Sequence, residues 1–592
     1  MFLRTVKAAG GGGVQHEYVR LVEAYREQGK NKQRVVCNLG RKDRLAEHLD
    51  ALIRLLRGEP RAASRSAAGA VYALGAWDWG PMLVARTLWA ELGLDRILDA
   101  QGGRGPADGV ALADRALVLV ANRLGAPTSE HGLARWLETD FVCDRRGRRW
   151  MPAWRDDAER RASRRPRVRV VGRQLQQWYR TLDQLHARRP TIEHELYLRL
   201  RDLFSLKVDW VLYDLTSTYF EGQGPPRLGA HGHSRDGKPR NRQVLVGLVL
   251  VDGWPITHHV FAGNWRDSTT VRDVVDDLDT RFGLRRVVFV GDRGMVTAAN
   301  LTRLRERQHG YVVGLTRRRR EDVYRYIERA TGAWTDCPVG RTARERAEPP
   351  KTQVQEVASE QPGVRVFVVQ SDERLAYERA QRLKAMARVR QQLEALTRRV
   401  ARNKLKAPAK IGAAAARILD RWHGYRYYDW ECTDGRFRFF EHPVHLKREE
   451  AYEGKYVIQT EEPHLTAVEA VTIYNELSEV ERAFANLKDV IEMRPIYHQT
   501  DARVQAHIFV ATLAFLLHRA LEKKLKAAGL DLSSTEALQA LRSVRVVDFT
   551  LGPGQRKRSI TRGTERAARI LAALGITDLD PPTPPNGAAV VM

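Results

Sequence analysis

The chain has 592 residues, room for three or four domains with sizeable cores. Its 99 Lys and Arg against 72 Asp and Glu give a formal net charge of +27, an excess that attracts polyanions, nucleic acid foremost. Cys37, Cys143, Cys337 and Cys432 are scattered without a C-x-x-C pair, which argues against a disulfide framework or structural zinc and for a reducing compartment. The most apolar run, Ile508–Leu517, is ten residues between two histidines, and the start lacks a signal peptide's apolar segment. A cytoplasmic protein with no membrane partner is expected.

Residues 14–40 read as a β-hairpin, VQHEYVRLVEAYRE and QRVVCNLG joined by the turn QGKNK. A helix follows to about residue 58, making residues 1–60 an N-terminal unit. AASRSAAGA at 62–70 reads as a linker. Residues 71–205 are mostly helical and form the expected DNA-binding region. Here ALADRALVLVANRL (111–124), the breaker GAP and TSEHGLARWLE follow one another, with Thr128 or Ser129 as the cap. The pair resembles a helix–turn–helix, as any helical hairpin does. Arg145 to Arg173 then holds twelve Arg against three acids, interleaved with Trp150 and Trp154. Clustered Arg with aromatics suits phosphate contact and base stacking, which marks Arg164, Arg165 and Arg167 as a DNA-binding patch. A solvated linker has the same composition.

Residues 206–316 are the most regular. The strand VDWVLYDLTSTYF (208–220) precedes a hairpin of QVLVGLVLV (243–251) and WPITHHVFA (254–262) about Asp252-Gly253. The helix STTVRDVVDDLDTRFG, the strand VVFVG, a helix over 297–308 and the strand GYVVGL complete a β-β-β-α-β-α-β order. That order predicts an α/β mixed sheet with covering helices. Residues 317–450 break the regularity and read as an α+β insertion, with a strand at 364–370, a long charged helix at 373–406 and a Trp/Tyr-rich β segment. Residues 451–530 return to strand and to two long helices, about 466–492 and 501–527. Residues 531–592 are a C-terminal region with a Pro-rich, disordered tail.

Two acids stand at strand ends, Asp214 after VLY and Asp292 after VVFVG. In sheets with parallel strands, chemistry collects at the strands' carboxyl ends, and two carboxylates brought together there suit a hard cation such as Mg2+. Taken singly, each is an ordinary strand-end turn acid. In TIYNELSEVERAFANLKDVIEM, the apolar stripe Ile473, Leu477, Val480, Phe484, Leu487 and Ile491 packs inward. Tyr474, Glu481 and Lys488, seven residues apart, share one line beside it. Heptad-spaced polar residues on a surface helix look the same.

Tyr474, Glu481 and Lys488 match the pattern Y-x2-R-x3-E-x6-K, with Leu477 in place of the Arg. YDLTSTYFEG, GHSRDGKPRNRQV, FAGNWRDSTT, VGDRGMVTAANL and RPIYHQTDARVQAHIFV also resemble blocks of the bacterial DDE transposases of the insertion-sequence-four type, in their long-chain branch. The resemblance spans roughly residues 205–525. It implies a ribonuclease H-like catalytic domain in two parts, 206–316 and 451–530, with the triad Asp214, Asp292 and Glu481 as catalytic and metal-binding acids. Two Mg2+ ions, with Mn2+ as a substitute, are the implied cofactor. The implied partners are double-stranded DNA, as terminal inverted repeats and target, and a second copy of the chain in a synaptic homodimer. Phosphate contacts are carried over to Tyr474 and Lys488, with Arg482 or Arg494 supplying the missing Arg. A hairpin step at the element end needs an aromatic to hold a flipped base. Trp334 and Trp430 are the candidates, each also readable as a core or β-surface Trp. Two other classes stay open, a decayed DNA-binding relative and a ribonuclease H-like nuclease.

Overall fold

The computed structural model describes residues 2–9, 15–27, 30–42, 72–101, 110–151, 168–206, 208–295, 297–315, 321–337, 351–433, 435–550 and 556–583. Strands β1 (Phe2–Ala9), β2 (Gln15–Glu27) and β3 (Lys30–Arg41) form an antiparallel sheet centred on β2. The expected hairpin is present and gains β1 ahead of it. The helix expected to residue 58 and the linker at 62–70 lie outside the described residues.

After β4 (Tyr72–Asp78) the described residues as far as Phe204 are mostly helical. The helix Leu112–Gly125 is buried at every residue from Leu112 to Leu124, so it offers no face to a DNA groove. The next helix begins at Leu133, not at Thr128 or Ser129. The Thr128 N–H instead donates to Asn122 Oδ1 at 3.2 Å, and the Ser129 carbonyl closes a turn on Gly132 at 2.8 Å. A long helix, Val168–Phe204, leads into the sheet.

Strands β5 (Trp210–Tyr219), β6 (Gln243–Val251), β7 (Trp254–Ala262), β8 (Val288–Gly291) and β9 (Gly310–Gly314) follow the expected order, with the helices Asp267–Thr280 and Ala298–Glu306 between them. Strand β5 runs antiparallel to β6 and parallel to β8, and β8 runs parallel to β9. Every residue of β6 is buried, as a strand covered on both faces must be. Side chains alternate between two cores. Val211, Tyr213 and Leu215 pack with Val271, Val274 and Leu278 of the first covering helix. Leu212 and Val290 point the other way, to the core holding Val480, Phe484, Leu487 and Phe509.

The sheet has nine strands. Strands β10 (Thr335–Cys337), β11 (Thr352–Val357) and β12 (Arg365–Ser371) extend it antiparallel beyond β15 (Lys455–Thr460), which pairs with β9. The strand at 364–370, read as part of the insertion, therefore belongs to the main sheet. Between β12 and β15 the chain leaves it for the helices Asp372–Ala401 and Pro408–Arg421 and the hairpin of β13 (Tyr428–Thr433) and β14 (Arg436–Glu441). These elements share a small core of Val389, Leu393, Leu396, Ile411, Tyr428 and Phe437.

The helix expected over 466–492 is interrupted. A capping box of Thr466 and Glu469 opens Ala467–Asn475, and Leu477–Ala485 follows. Asn486–Val490 is a π turn, a wider turn often found at functional sites. At the break, the Glu476 carboxylate accepts from Trp210 Nε1 at 2.7 Å. The helix Asp501–Ala527 is long and apolar enough to cross a membrane, yet 89% of its apolar window is buried inside the protein. It is the central core helix, packed on Val168–Phe204 and Leu112–Gly125. Finally β16 (Arg545–Thr550) pairs with both β17 (Arg556–Ile560) and β4.

Candidate active site

Parity and register bring the acids together. Asp214 has the parity of Leu212, so it faces the side of the sheet on which the helix Leu477–Ala485 lies. Tyr213 pairs with Gly291 across the parallel strands, so Asp214 and Asp292 are the next residues on neighbouring strands. Burial pushes the Asp214 carboxyl up to about 7, and the charges of Asp292 and Glu481 push in the same direction. The Leu215 backbone and the Arg235 charge oppose that rise. Asp292 and Glu481 are exposed. Asp292 and Glu481 both stand near enough to Asp214 for their charges to act on it, and carboxylate oxygens of this kind are the ligands a hard divalent cation takes.

The basic candidates divide. The Lys488 Nζ donates to Asp236 Oδ1 at 2.8 Å, and the Arg494 guanidinium reaches the same oxygen. Arg494 also donates to Asp489 at 2.5 Å. Arg482 instead pairs with Glu479 on its own helix and donates to the Ser478 carbonyl at 3.3 Å. Leu477, in the place of the signature Arg, packs against the core. Tyr474 stacks on Tyr456 with ring centroids 5.7 Å apart. Its hydroxyl lies over Gly314 at the end of β9, where it occupies the space a Cβ would need.

The two tryptophans read as base-holding candidates are half-buried, each packed against a core. Trp334 lies against the cluster of Val323, Tyr326 and Val457, and Trp430 covers Gly412 and Phe437. Arg164, Arg165 and Arg167 lie outside the described residues.

Four residues near the acids escaped the sequence reading. Arg235 donates to Asp267 Oδ2 at 2.8 Å, and its backbone N–H donates to Ser217 Oγ at 2.8 Å. Asp236 joins the two cations. Asp267 starts the helix Asp267–Thr280, and a Cβ on Gly294, two residues past Asp292, would stand 3.3 Å from its carboxylate. Trp265 is 44% exposed and stacks on Phe261 with centroids 5.3 Å apart. The only advance signal was that all four fall inside the blocks GHSRDGKPRNRQV and FAGNWRDSTT.

A second polar cluster, Glu130, His498 and His507, has the residue types of a metal site. Its contacts do not suit one. The His507 Nδ1 faces Arg123 Nη2 at 3.3 Å, and Nε2 lies 2.9 Å from the Met493 carbonyl, so both ring nitrogens are engaged beside a fixed cation. Burial pushes His507 down to about 3, helped by the Arg123 charge.

A family model described as a transposase DDE domain matches residues 212–517, and another, the N-terminal domain of IS1634 family transposases, matches residues 3–68. No curated protein matches the chain. Among solved structures it is similar to the cryo-EM structure of a piggyBac transposase synaptic complex with hairpin DNA, at 10% identity and a TM-score of 0.32, over 81% of this chain and 82% of that one. The DDE match covers more than half the chain and includes all three acids. The chain therefore belongs to the DDE transposases, divalent-metal-dependent enzymes with a ribonuclease H-like fold that bind DNA, cleave it and transfer its strands.

Proposed function

We propose that Asp214, Asp292 and Glu481 are the catalytic triad of a transposase of the insertion-sequence-four type, and that they hold two Mg2+ ions, with Mn2+ as a substitute. The observation that carries this reading is the parallel register that sets Asp214 and Asp292 at the ends of neighbouring strands, with Asp292 and Glu481 both adding to the rise that burial gives the Asp214 carboxyl. Such a site is under electrostatic tension until positive charge enters it. When bound, the paired ions supply charge stabilisation to the attacking and leaving oxygens of an in-line displacement. The chain's own part is positional. In this reading Asp214 stands on β5, Asp292 directly after β8 and Glu481 on the helix Leu477–Ala485, which packs against β5.

Lys488 and Arg494 take phosphate oxygens of the bound strand, whereas Arg482 is committed to its own helix. Trp265, exposed beside Asp267, offers the stacking surface for an unpaired base in place of Trp334 and Trp430. Residues 206–371 and 455–530 carry the catalytic domain, the residues between β12 and β15 the insertion, and residues 71–205 the contacts to the element's terminal inverted repeats. Two copies of the chain pair the ends in a synaptic complex, working on DNA in the bacterial cytoplasm.

Strand cleavage of DNA carrying the flanking element ends, with Mg2+ or with EDTA, tests this reading. Wild type and Glu481→Gln are compared side by side. Metal-dependent cleavage lost in the variant supports the triad. Binding of the ends without cleavage under any metal favours a decayed relative that only binds DNA.

A further inference from the structure

The segment from Ala230 to Gln243 carries a buried acid that the triad does not use. Its base is closed by reciprocal backbone hydrogen bonds between Ala230 and Gln243, at 3.1 and 2.7 Å. The Gln243 side chain is fully buried and donates to the carbonyls of Lys238 and Asn241, both at 2.9 Å. Asn241 donates to the Phe220 carbonyl at 2.9 Å, and Ser234 Oγ accepts from the Lys238 N–H at 2.9 Å. Ser217, on the catalytic strand three residues past Asp214, grips the Arg235 backbone. The loop is thus built onto β5 before any ligand arrives.

Out of this frame comes Asp236, whose side chain is only 2% exposed. Its Oδ1 receives both Lys488 and Arg494, and its Oδ2 is buried with no hydrogen bond among the described residues. Asp236 therefore does not cap its own turn. Its bonding is directed at two cations, one on the π turn after Glu481 and one just beyond it. A buried carboxylate is a costly way to stabilise a surface, but an effective way to fix where two charged side chains stand.

We propose that Asp236 is the positioning residue for Lys488 and Arg494, setting both cations to receive the phosphates that flank the scissile bond. The proposal rests on the triad reading above. Lys488 alone has many rotamers; tied to a rigid loop on β5, its ammonium keeps a fixed place relative to Asp214. The clamp also joins the helix bearing Glu481 to the strand bearing Asp214, so one contact aligns two parts of the site.

The test is single-turnover cleavage of element-end DNA by the full chain, with end binding and melting temperature measured for each variant. Asp236→Asn is expected to slow cleavage about a hundredfold, the effect of misplacing a positioning group by about 1 Å, while end binding stays near wild type. In a Lys488→Ala, Arg494→Ala background, adding Asp236→Asn is expected to cost nothing further, because the groups it positions are gone. Cleavage by Asp236→Asn at the wild-type rate, or a loss that multiplies with that of the cation variants, overturns the proposal. Should Asp236→Asn melt early, Asp236→Glu keeps the charge and moves the oxygen by one methylene. A slowed Asp236→Glu then supports positioning, and wild-type cleavage by it overturns the role. Asp214→Asn separates the two readings. Cleavage retained there sinks the triad assignment, whereas a dead Asp214→Asn beside a fully active Asp236→Asn sinks only this inference.

Discussion

Tyr213 and Gly291 face each other across parallel strands, and the residue after each is an acid. Neither acid is unusual in its own strand. Their nearness follows from the register, and the charge of Asp292 acting on the part-buried Asp214 is what separates this pair from two turn residues.

Asp214→Asn and Glu481→Gln should each reduce metal-dependent cleavage about a thousandfold or more, a loss typical of removing preorganised stabilisation of developing charge. Binding of the element ends should persist in both, since neither acid contributes positive charge. Filter or gel-shift binding alongside the cleavage assay checks the pair.

The raised Asp214 pKa predicts a pH signature of stability. The folded carboxyl keeps its proton to about 7, whereas the ordinary value is 3.8. Between those pH values the unfolded chain has released a proton that the folded chain still holds. Metal-free stability should therefore fall as pH rises from about 4 to 7, by at most about 4 kcal/mol at 1.36 kcal/mol per unit. Asp214→Asn removes this penalty. Its melting temperature should exceed wild type at pH 8 and match it near pH 4. An equal gain at both pH values would assign the titration to another group.

Neutralising Arg164, Arg165 and Arg167 should weaken DNA binding and flatten its salt dependence, by a slope of about 0.9 for each phosphate left without its cation. Binding measured across a salt series decides this. An unchanged slope makes the segment a linker.

Arg123→Met should be destabilising, by about 1–3 kcal/mol, because it leaves the Glu492 carbonyl and His507 Nδ1 without the guanidinium that meets them inside the protein. Zinc should give no protection against melting, since His507 has no nitrogen to spare. Protection by zinc in the wild type would show that the cluster is a metal site after all.

Trp265→Ala should lower affinity for a single-stranded element end by about 1–3 kcal/mol, the worth of one stacked base. Trp430→Ala should instead act on the stability of the insertion, where that ring covers Gly412. Fluorescence titration with a single-stranded oligonucleotide separates the two.

The catalytic sheet was legible because β5, β6 and β8 are short apolar runs punctuated by turn residues, as strands covered on both faces are. The place of Glu481 beside the stripe of Val480, Phe484 and Leu487 was legible, whereas its reading as a triad acid came from the family resemblance alone. The break at Glu476 was not, since no Pro or Gly marks it and its partner, Trp210, is 266 residues away in sequence. Nor was the role of Asp236, separated from Lys488 by 252 residues. The extension of the sheet through β12 was also hidden. RVFVVQS reads as a strand by itself, but nothing local says that it will pair with KYVIQT after a long excursion. Period reports which face is apolar; it carries no information on which strand lies next door.

The pairing of β4 with β16 has a consequence for how the molecule is made. A strand near the start of the helical region finds its partner only when residue 545 has left the ribosome, and the Trp79 Nε1 waits longer still, for the Leu579 carbonyl at 2.8 Å. During synthesis, domains usually fold in order from the N-terminus. Here residues more than 450 positions later complete the beginning of the helical region. Expressed alone, residues 71–205 would expose the unpaired edge of β4 and lose the packing of the Asp501–Ala527 helix, so the helical region is not a detachable module.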